Sequence, residues 1–283
     1  MLMDIKELHR SEKSVVTLVI DPDTGTRYVR KQLQGSHPVY AQLQAISHPY
    51  LPNIIQLEQQ ADGVTLLEEY IDGASLAEIT LPEKQVIALM EELCEVLVFL
   101  HGHGILHRDI KPSNLLLAPD GHIRLIDFDA AREEKPSADS DTRLLGTKGY
   151  APPEQYGFAQ TDARADIYAV GVTMKQLLGK RAEKCPYRHI LRKCTEFAPK
   201  RRYATAKALL RALKTRTLQL WLPWLIAVAV LLGAGGFAWW YHSHQAEITE
   251  GRYPDEPLLF YAAIGDYLIA NIGDLRSNPN HDT

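Results

Sequence analysis

Apolar and polar positions alternate in short blocks along the first third of the chain. Val15, Val16, Leu18 and Ile20 form an apolar run. Asp21-Pro22-Asp23-Thr24-Gly25 reads as a turn, and Tyr28, Val29 and Leu33 resume the run. Residues 12–33 are therefore expected to form paired strands. Pro38–Ile46 predicts a short helix, and Ile54–Leu57 and Val64–Tyr70 predict two more strands about the Asp62-Gly63 turn. The period changes after Pro82. From there to His101, Val86, Leu89, Met90, Leu93, Val96, Leu97 and Leu100 recur at helical spacing. Asn114–Leu117 and Ile123–Ile126 flank another Asp-Gly turn, and the remainder to Leu213 reads as mainly helical. The expected fold class is α+β, with a small β-rich half before a larger helical half. No internal repeat or low-complexity tract interrupts it.

A different pattern follows. No Asp, Glu, Lys or Arg occurs from Leu218 to Ala246. The core of this stretch, Leu220–Tyr241, meets the roughly 20 apolar residues that a helix needs to cross a bilayer. Trp221, Trp224, Trp239, Trp240 and Tyr241 lie near its two ends, where aromatic rings favour the membrane interface. Residues 200–217 carry Lys and Arg and no acid, whereas residues 242–260 carry Glu247, Glu250, Asp255 and Glu256 against Arg252 alone. The positive-inside rule then puts residues 1–217 in the cytoplasm and the C-terminal tail outside the cell membrane. The expected organisation is a globular domain over 1–213, a basic juxtamembrane segment over 214–219, a single transmembrane helix over 220–241, and a short extracytoplasmic tail over 242–283. Within the tail, Pro257–Leu275 reads equally as an amphipathic helix or as disordered chain.

Composition narrows the function classes. Lys and Arg total 31 against 35 Asp and Glu, a net charge of -4, which gives no nucleic-acid signal. Cys94, Cys185 and Cys194 show neither zinc-site spacing nor an even disulfide set, and fit a reducing compartment. Met1–Glu7 lacks the apolar run of a signal peptide.

The chemistry concentrates in His107-Arg108-Asp109-Ile110-Lys111-Pro112-Ser113-Asn114. On one short loop, Asp109 can receive a hydroxyl proton and Lys111 can balance phosphate charge. Asn114 can hold a metal ion, and Arg108 can read an anion. The segment fits the pattern H-R-D-x-x-x-x-N of a phosphotransfer loop. Asp127-Phe128-Asp129 follows it, then Gly146-Thr147-Lys148-Gly149-Tyr150-Ala151-Pro152-Pro153-Glu154.

With these motifs in order, residues from about 9 to 213 resemble a eukaryotic-type Ser/Thr protein kinase domain of the kind found in bacterial single-pass membrane kinases. The resemblance implies a bilobal kinase fold, ATP and Mg²⁺ (with Mn²⁺ as a substitute), and a protein substrate bearing a Ser or Thr acceptor. It makes Asp109 and Lys111 catalytic, and Asn114 and Asp127 metal ligands. Lys31 takes the place of the strand lysine on the α- and β-phosphates. Val16, Val29 and Leu116 would sandwich the adenine, and Glu69 to Ile71 would be the hinge that reads its edge. Glu154 should pair with Arg202, Thr147 should lie beside Asp109 and Lys111, and Asp166 should hold the catalytic loop from below. Thr142 lies nearest the usual regulatory phosphorylation position, with Ser137 and Ser140 in the same loop. Other implied partners are the membrane and, as one option, a second copy in a homodimer.

The sequence departs from the family pattern in four places. His9, Ser11 and Ser14 stand where the phosphate loop has glycines, so that loop should cover the phosphates less closely. Val39 stands where a helix glutamate normally pairs with the strand lysine. Either another acid reaches Lys31, or phosphate alone positions it. Asp129 replaces the glycine after Asp127-Phe128, and the stretch from Gly171 to Arg202 is short, reducing the helix that often docks substrates. The first two departures support a second reading, a pseudokinase acting as a nucleotide sensor or scaffold.

Overall fold

The sheet at the N-terminus is built around central strands whose alternate residues are buried. The structure is a computed structural model that describes residues 1–60, 62–133, 147, 149–156 and 162–249. Strands β1 (Met3–Arg10), β2 (Ser14–Ile20) and β3 (Arg27–Gln34) are followed by helix α1 (Val39–Gln44). Strands β4 (Ile54–Gln59) and β5 (Gly63–Glu69) complete an antiparallel sheet in the order β1-β2-β3-β5-β4. Val29, Lys31 and Leu33 of β3 are buried, as are Val64, Leu66 and Glu68 of β5. The period of two therefore puts these six residues on one face. Gly63 is required at its turn, because a Cβ there would meet the Leu33 carbonyl oxygen at 2.2 Å.

The first strand has no counterpart among the expected elements. Every residue of β1 is exposed. Its apolar Met3, Ile5 and Leu8 are exposed, and irregular pairing at Asp4/Lys6 and Glu7/His9 breaks its period. It is held by its ladder to β2 and by surface pairs such as Arg30 with Asp4 at 2.7 Å.

The helical half begins with the short β6 (Ala74–Ser75) and helix α2 (Glu83–Gly102). All seven apolar positions read at helical spacing in α2, from Val86 to Leu100, are at most 1% exposed. Each such side chain contributes about 1.5–3 kcal/mol of burial. Strands β7 (Ile105–Leu106), β8 (Leu115–Leu117), β9 (Ile123–Leu125) and β10 (Arg132–Glu133) then surround the catalytic loop in two small sheets, β10-β7 and β6-β8-β9. Gly73, just before β6, meets the Leu117 carbonyl oxygen at 2.8 Å from its would-be Cβ, so the chain between the halves lies tight on β8.

Helix α3 (Ala163–Leu178) starts at Asp162, whose carboxylate accepts the Arg164 N–H at 2.8 Å. Helix α4 (Arg188–Cys194) packs against it where Gly171 removes the side chain that would strike Cys194 at 2.5 Å. Beyond the turn Gly179–Glu183, α4 and a short turn at Pro199–Arg201 occupy the stretch that the sequence marks as shortened.

Helix α5 runs unbroken over Ala206–Thr249. Ala206, Leu209 and Leu213 are buried in the helical half, and two compact units divide at Gln219 and Leu220. From Leu218 to Trp239 the large apolar side chains are exposed, including Trp224 and Leu231 at 70% and 71%. This helix, with a mean hydropathy of 2.0 in its most apolar window, is long and apolar enough to cross a membrane. Residues 250–283, and with them most of the expected tail, lie outside the described residues.

Candidate functional site: the His107–Asn114 loop and a buried ion pair

The loop between β7 and β8 is fixed from below. Asp166 sits in the first turn of α3 with its side chain fully buried. Its carboxylate accepts the backbone N–H groups of His107 at 3.0 Å and Arg108 at 2.7 Å, and meets His101 Nε2 at 2.8 Å. Burial alone would raise the Asp166 carboxyl, but the His101 hydrogen bond, the nearby histidines and the Arg108 N–H carry it below the ordinary range. These bonds, with Gln155 Nε2 donating to the Arg108 carbonyl at 2.8 Å, hold Arg108 at a φ of 68°. A non-glycine residue persists there only when its surroundings over-determine it. Burial keeps the His107 imidazole low, and its ring meets Phe128 edge-on at 4.8 Å.

Asp109 is gripped on both oxygens. Its Oδ2 accepts from Lys111 Nζ at 2.7 Å and from Asn114 Nδ2 at 3.1 Å. Its Oδ1 accepts the Thr147 hydroxyl at 2.7 Å and the Thr147 N–H at 3.2 Å. Lys111 Nζ also donates to Thr147 Oγ1 at 2.9 Å. Burial pushes the Asp109 carboxyl up, but the bonds from Lys111 and Thr147 outweigh it and hold it low. Asp109 is thus an ionised acceptor of fixed orientation. The expected grouping of Thr147 with Asp109 and Lys111 is present.

Asn114 and Asp127 lie on adjoining segments, since the Ile126 N–H donates to the Asn114 carbonyl at 3.0 Å. Asn114 Nδ2 donates to the Asp109 carbonyl at 2.9 Å, which leaves its amide oxygen as the ligand-capable atom. A carboxylate and an amide oxygen are the hard donors that magnesium takes, with water and phosphate completing the shell. The donor set therefore fits the ion.

The lysine question resolves within the sheet. Lys31 Nζ lies 2.9 Å from Glu68 Oε1, and both side chains are under 8% exposed, at 7% and 6%. The register pairs Lys31 with Leu66 and Val29 with Glu68, so the two charged residues are diagonal neighbours on the buried face. Val39, at the place of the absent helix acid, is 2% exposed and packs in the core. Burial works against the Lys31 ammonium, but Glu68, Asp127 and Asp129 together raise its pKa. Glu68 is raised too, first by burial and then by Asp127 and Asp129, against the pull of Lys31. Three carboxylates around one ammonium leave surplus negative charge, the condition that a cation relieves. Sequence reading missed Glu68. The available signal was its parity with Val64 and Leu66, because an acid on a buried strand face requires a cation.

Of the remaining nucleotide-side candidates, Val16 and Val29 share the face of this pair. Val16 stands opposite Lys31, and so shares a face with Val29 and Glu68. Leu116 lies in β8 between Ser75 and Arg124. The Glu69 N–H donates to the Asn53 carbonyl at 2.9 Å and its carboxylate accepts from Asn53 Nδ2 at 3.0 Å. The Ile71 carbonyl accepts the Gly73 N–H at 3.0 Å. At the phosphate-loop position, β1 and β2 are joined by a turn that Ser11 closes, accepting the Lys13 and Ser14 N–H groups at 3.2 and 3.0 Å.

Glu154 and Arg202 form a buried two-pronged ion pair, Arg202 also donating to the carbonyls of Glu196, Phe197 and Arg164. Ser137, Ser140 and Thr142 lie outside the described residues.

Residues 6–193 match the family described as protein kinase domain. Among curated proteins, the chain is 33% identical over 150 residues to the serine/threonine-protein kinase pkn2 of Myxococcus xanthus, covering 49% of this chain and 18% of that one. It is 33% identical over 145 residues to the serine/threonine-protein kinase PknB of Mycobacterium leprae, covering 47% of this chain and 23% of the relative. It is 32% identical over 167 residues to serine/threonine-protein kinase 36 of Pongo abelii, covering 58% and 12%. The chain thus aligns with under a quarter of each of these relatives. With the match extending over both halves of the fold and including the His107–Asn114 loop, the chain belongs to the protein kinase domain family.

Proposed function

We propose that this chain is a membrane-anchored Ser/Thr protein kinase that transfers the γ-phosphate of ATP to Ser or Thr hydroxyls. The observation that carries the proposal is the doubly gripped Asp109, set beside Lys111 and Asn114, together with a strand lysine held by Glu68. Asp109 orients the acceptor hydroxyl and takes its proton as the oxygen attacks. Lys111 offers positive charge to the phosphoryl group in transit. Lys31 anchors the α- and β-phosphates, preorganised by Glu68. Val16, Val29 and Leu116 hold the adenine between the halves, and the Glu69 and Ile71 backbone reads its edge. Magnesium, held by Asn114 and Asp127, supplies neutralisation of the phosphate charge. Most of the acceleration then comes from positioning and electrostatics.

The sensor reading drew on the absent helix acid. The Lys31–Glu68 pair removes much of that support. A transfer assay separates the two. Full-length protein in detergent is incubated with γ-labelled ATP, Mg²⁺ and mixed Ser/Thr and Tyr peptides, beside Asp109→Asn. Label on Ser or Thr from the wild type alone is expected, and equal labelling by both proteins overturns the proposal.

The apolar part of α5 supports a single crossing, and the flanking charges favour a cytoplasmic kinase domain. A reporter fused after Thr283 is expected to be active outside the cell membrane. Cytoplasmic activity of that reporter refutes the orientation.

A further inference from the structure

Helix α1 has no ion pair with Lys31, because its Val39 is apolar and buried. The lysine is held instead by a neighbouring strand of its own sheet. Strands joined by a hydrogen-bonded ladder keep their spacing, so the placement of Lys31 does not follow that of α1. Two other side-chain bonds link α1 to the chemistry, and both go to the segment after Asp127. Tyr40 Oη donates to Asp129 Oδ1 at 2.7 Å, and Gln42 Nε2 donates to Glu133 Oε1 at 2.5 Å on the surface.

The first bond is the consequential one. Tyr40 is 1% exposed. Burial pushes its phenol far above the ordinary range, so it remains a donor. Asp129 also donates its N–H to Asp127 Oδ1 at 3.4 Å. Asp127 is held at a φ of 67°, a backbone state that needs support from outside the residue. Tyr40 also shares the lining of a cavity of about 10 Å³ with Glu68 and Phe128.

We propose that Tyr40 is a positioning residue for the metal-holding segment, acting through Asp129 in place of a helix-to-lysine ion pair. The proposal rests on the kinase reading above. It divides two tasks that one helix glutamate would join. Glu68 places the phosphate-anchoring lysine, and Tyr40 places Asp127. Movement of α1 would then change how the site holds its metal without moving Lys31. The side chain of Asp129, where the family pattern has glycine, is what makes the link.

The test measures binding of a fluorescent ATP analogue to the full-length protein in detergent as Mg²⁺ is titrated. Losing one hydrogen bond to a charged group predicts a roughly tenfold rise in the half-saturating Mg²⁺ for Tyr40→Phe. Metal-free nucleotide binding should stay unchanged. Asp129→Gly should show the same rise, and adding Tyr40→Phe to it should add nothing. A wild-type Mg²⁺ requirement in Tyr40→Phe overturns the proposal. So does a further rise in the double variant, or nucleotide binding by the wild type that ignores Mg²⁺. Asp129→Ala repeats the measurement if Tyr40→Phe does not fold. Failure of the kinase reading shows differently, as metal-dependent binding by the wild type without phosphate transfer.

Discussion

Glu68→Leu should destabilise the β-rich half sharply, and a second substitution should restore it. The pair it breaks is 2.9 Å apart, with both side chains more than nine-tenths buried. Removing one member of a buried pair costs about 3–5 kcal/mol, because the other charge is stranded in a low dielectric. For Glu68→Leu the cost should fall near the lower end, about 3 kcal/mol, because Asp127 and Asp129 still act on Lys31. In a domain of this size that lowers Tm by roughly 6–12 °C. Lys31→Met should cost at least as much, since it leaves Glu68 with two acids and no cation. Lys31→Met/Glu68→Leu replaces the pair with apolar side chains and should return to within about 3 °C of wild type. Trp221, Trp224, Trp239 and Trp240 all lie on α5, so tryptophan fluorescence does not report this sheet. Calorimetry gives the Tm, and hydrogen exchange at the β3 and β5 amides localises the change. The reasoning fails if the double variant loses the sum of the two single losses. It fails equally if neither single variant moves Tm by more than about 2 °C.

Other variants test separate parts of the site. Thr147→Val keeps the shape but removes the hydroxyl between Asp109 and Lys111. It should lower kcat about 10-fold with KM for ATP unchanged, and steady-state kinetics with an unaltered kcat would refute that role. Arg202→Lys cannot reproduce the two-pronged bond to Glu154 together with three carbonyl contacts. It should lower Tm nearly as much as Arg202→Ala, and a near-wild-type Tm for the lysine variant would contradict this. Asp166 has a depressed folded pKa, so its stabilisation is present above the ordinary value of 3.8 and is lost as pH falls through the folded one. Acid unfolding curves should therefore be steeper below about pH 4 for wild type than for Asp166→Asn, and coincident curves would remove Asp166 as a source.

The fold was legible wherever burial leaves a period in the sequence. Helix α2 shows this best, because each of its seven periodic apolar positions is buried. The catalytic loop was legible for another reason: its chemistry needs fixed residue types within a few positions, so His107 to Asn114 identify themselves. Glu154 with Arg202 and Asp166 with the loop were found through the family resemblance, and the geometry agrees. Strand β1 was not legible, because it buries no face. The partner of Lys31 was missed for a subtler reason. The resemblance directed attention to Val39 on α1, whereas the acid is on β5, far along the chain and next to Lys31 only through strand register. Asp129 was read only as a replacement for the family's glycine. Its bond to Tyr40 depends on how α1 packs, and no local pattern encodes that.

Single-turnover transfer tests the central claim most directly, that this chain's irregular nucleotide side still serves a working phosphotransfer loop. Excess full-length protein is mixed with γ-labelled ATP and Mg²⁺, and bound nucleotide and phosphoprotein are followed in the same samples. The account predicts that wild type converts bound ATP to phosphoserine or phosphothreonine. Asp109→Asn should bind ATP equally well and transfer at least about 100-fold more slowly. Equal rates for the two proteins, or tight binding by wild type with no transfer to any Ser or Thr acceptor, would contradict it.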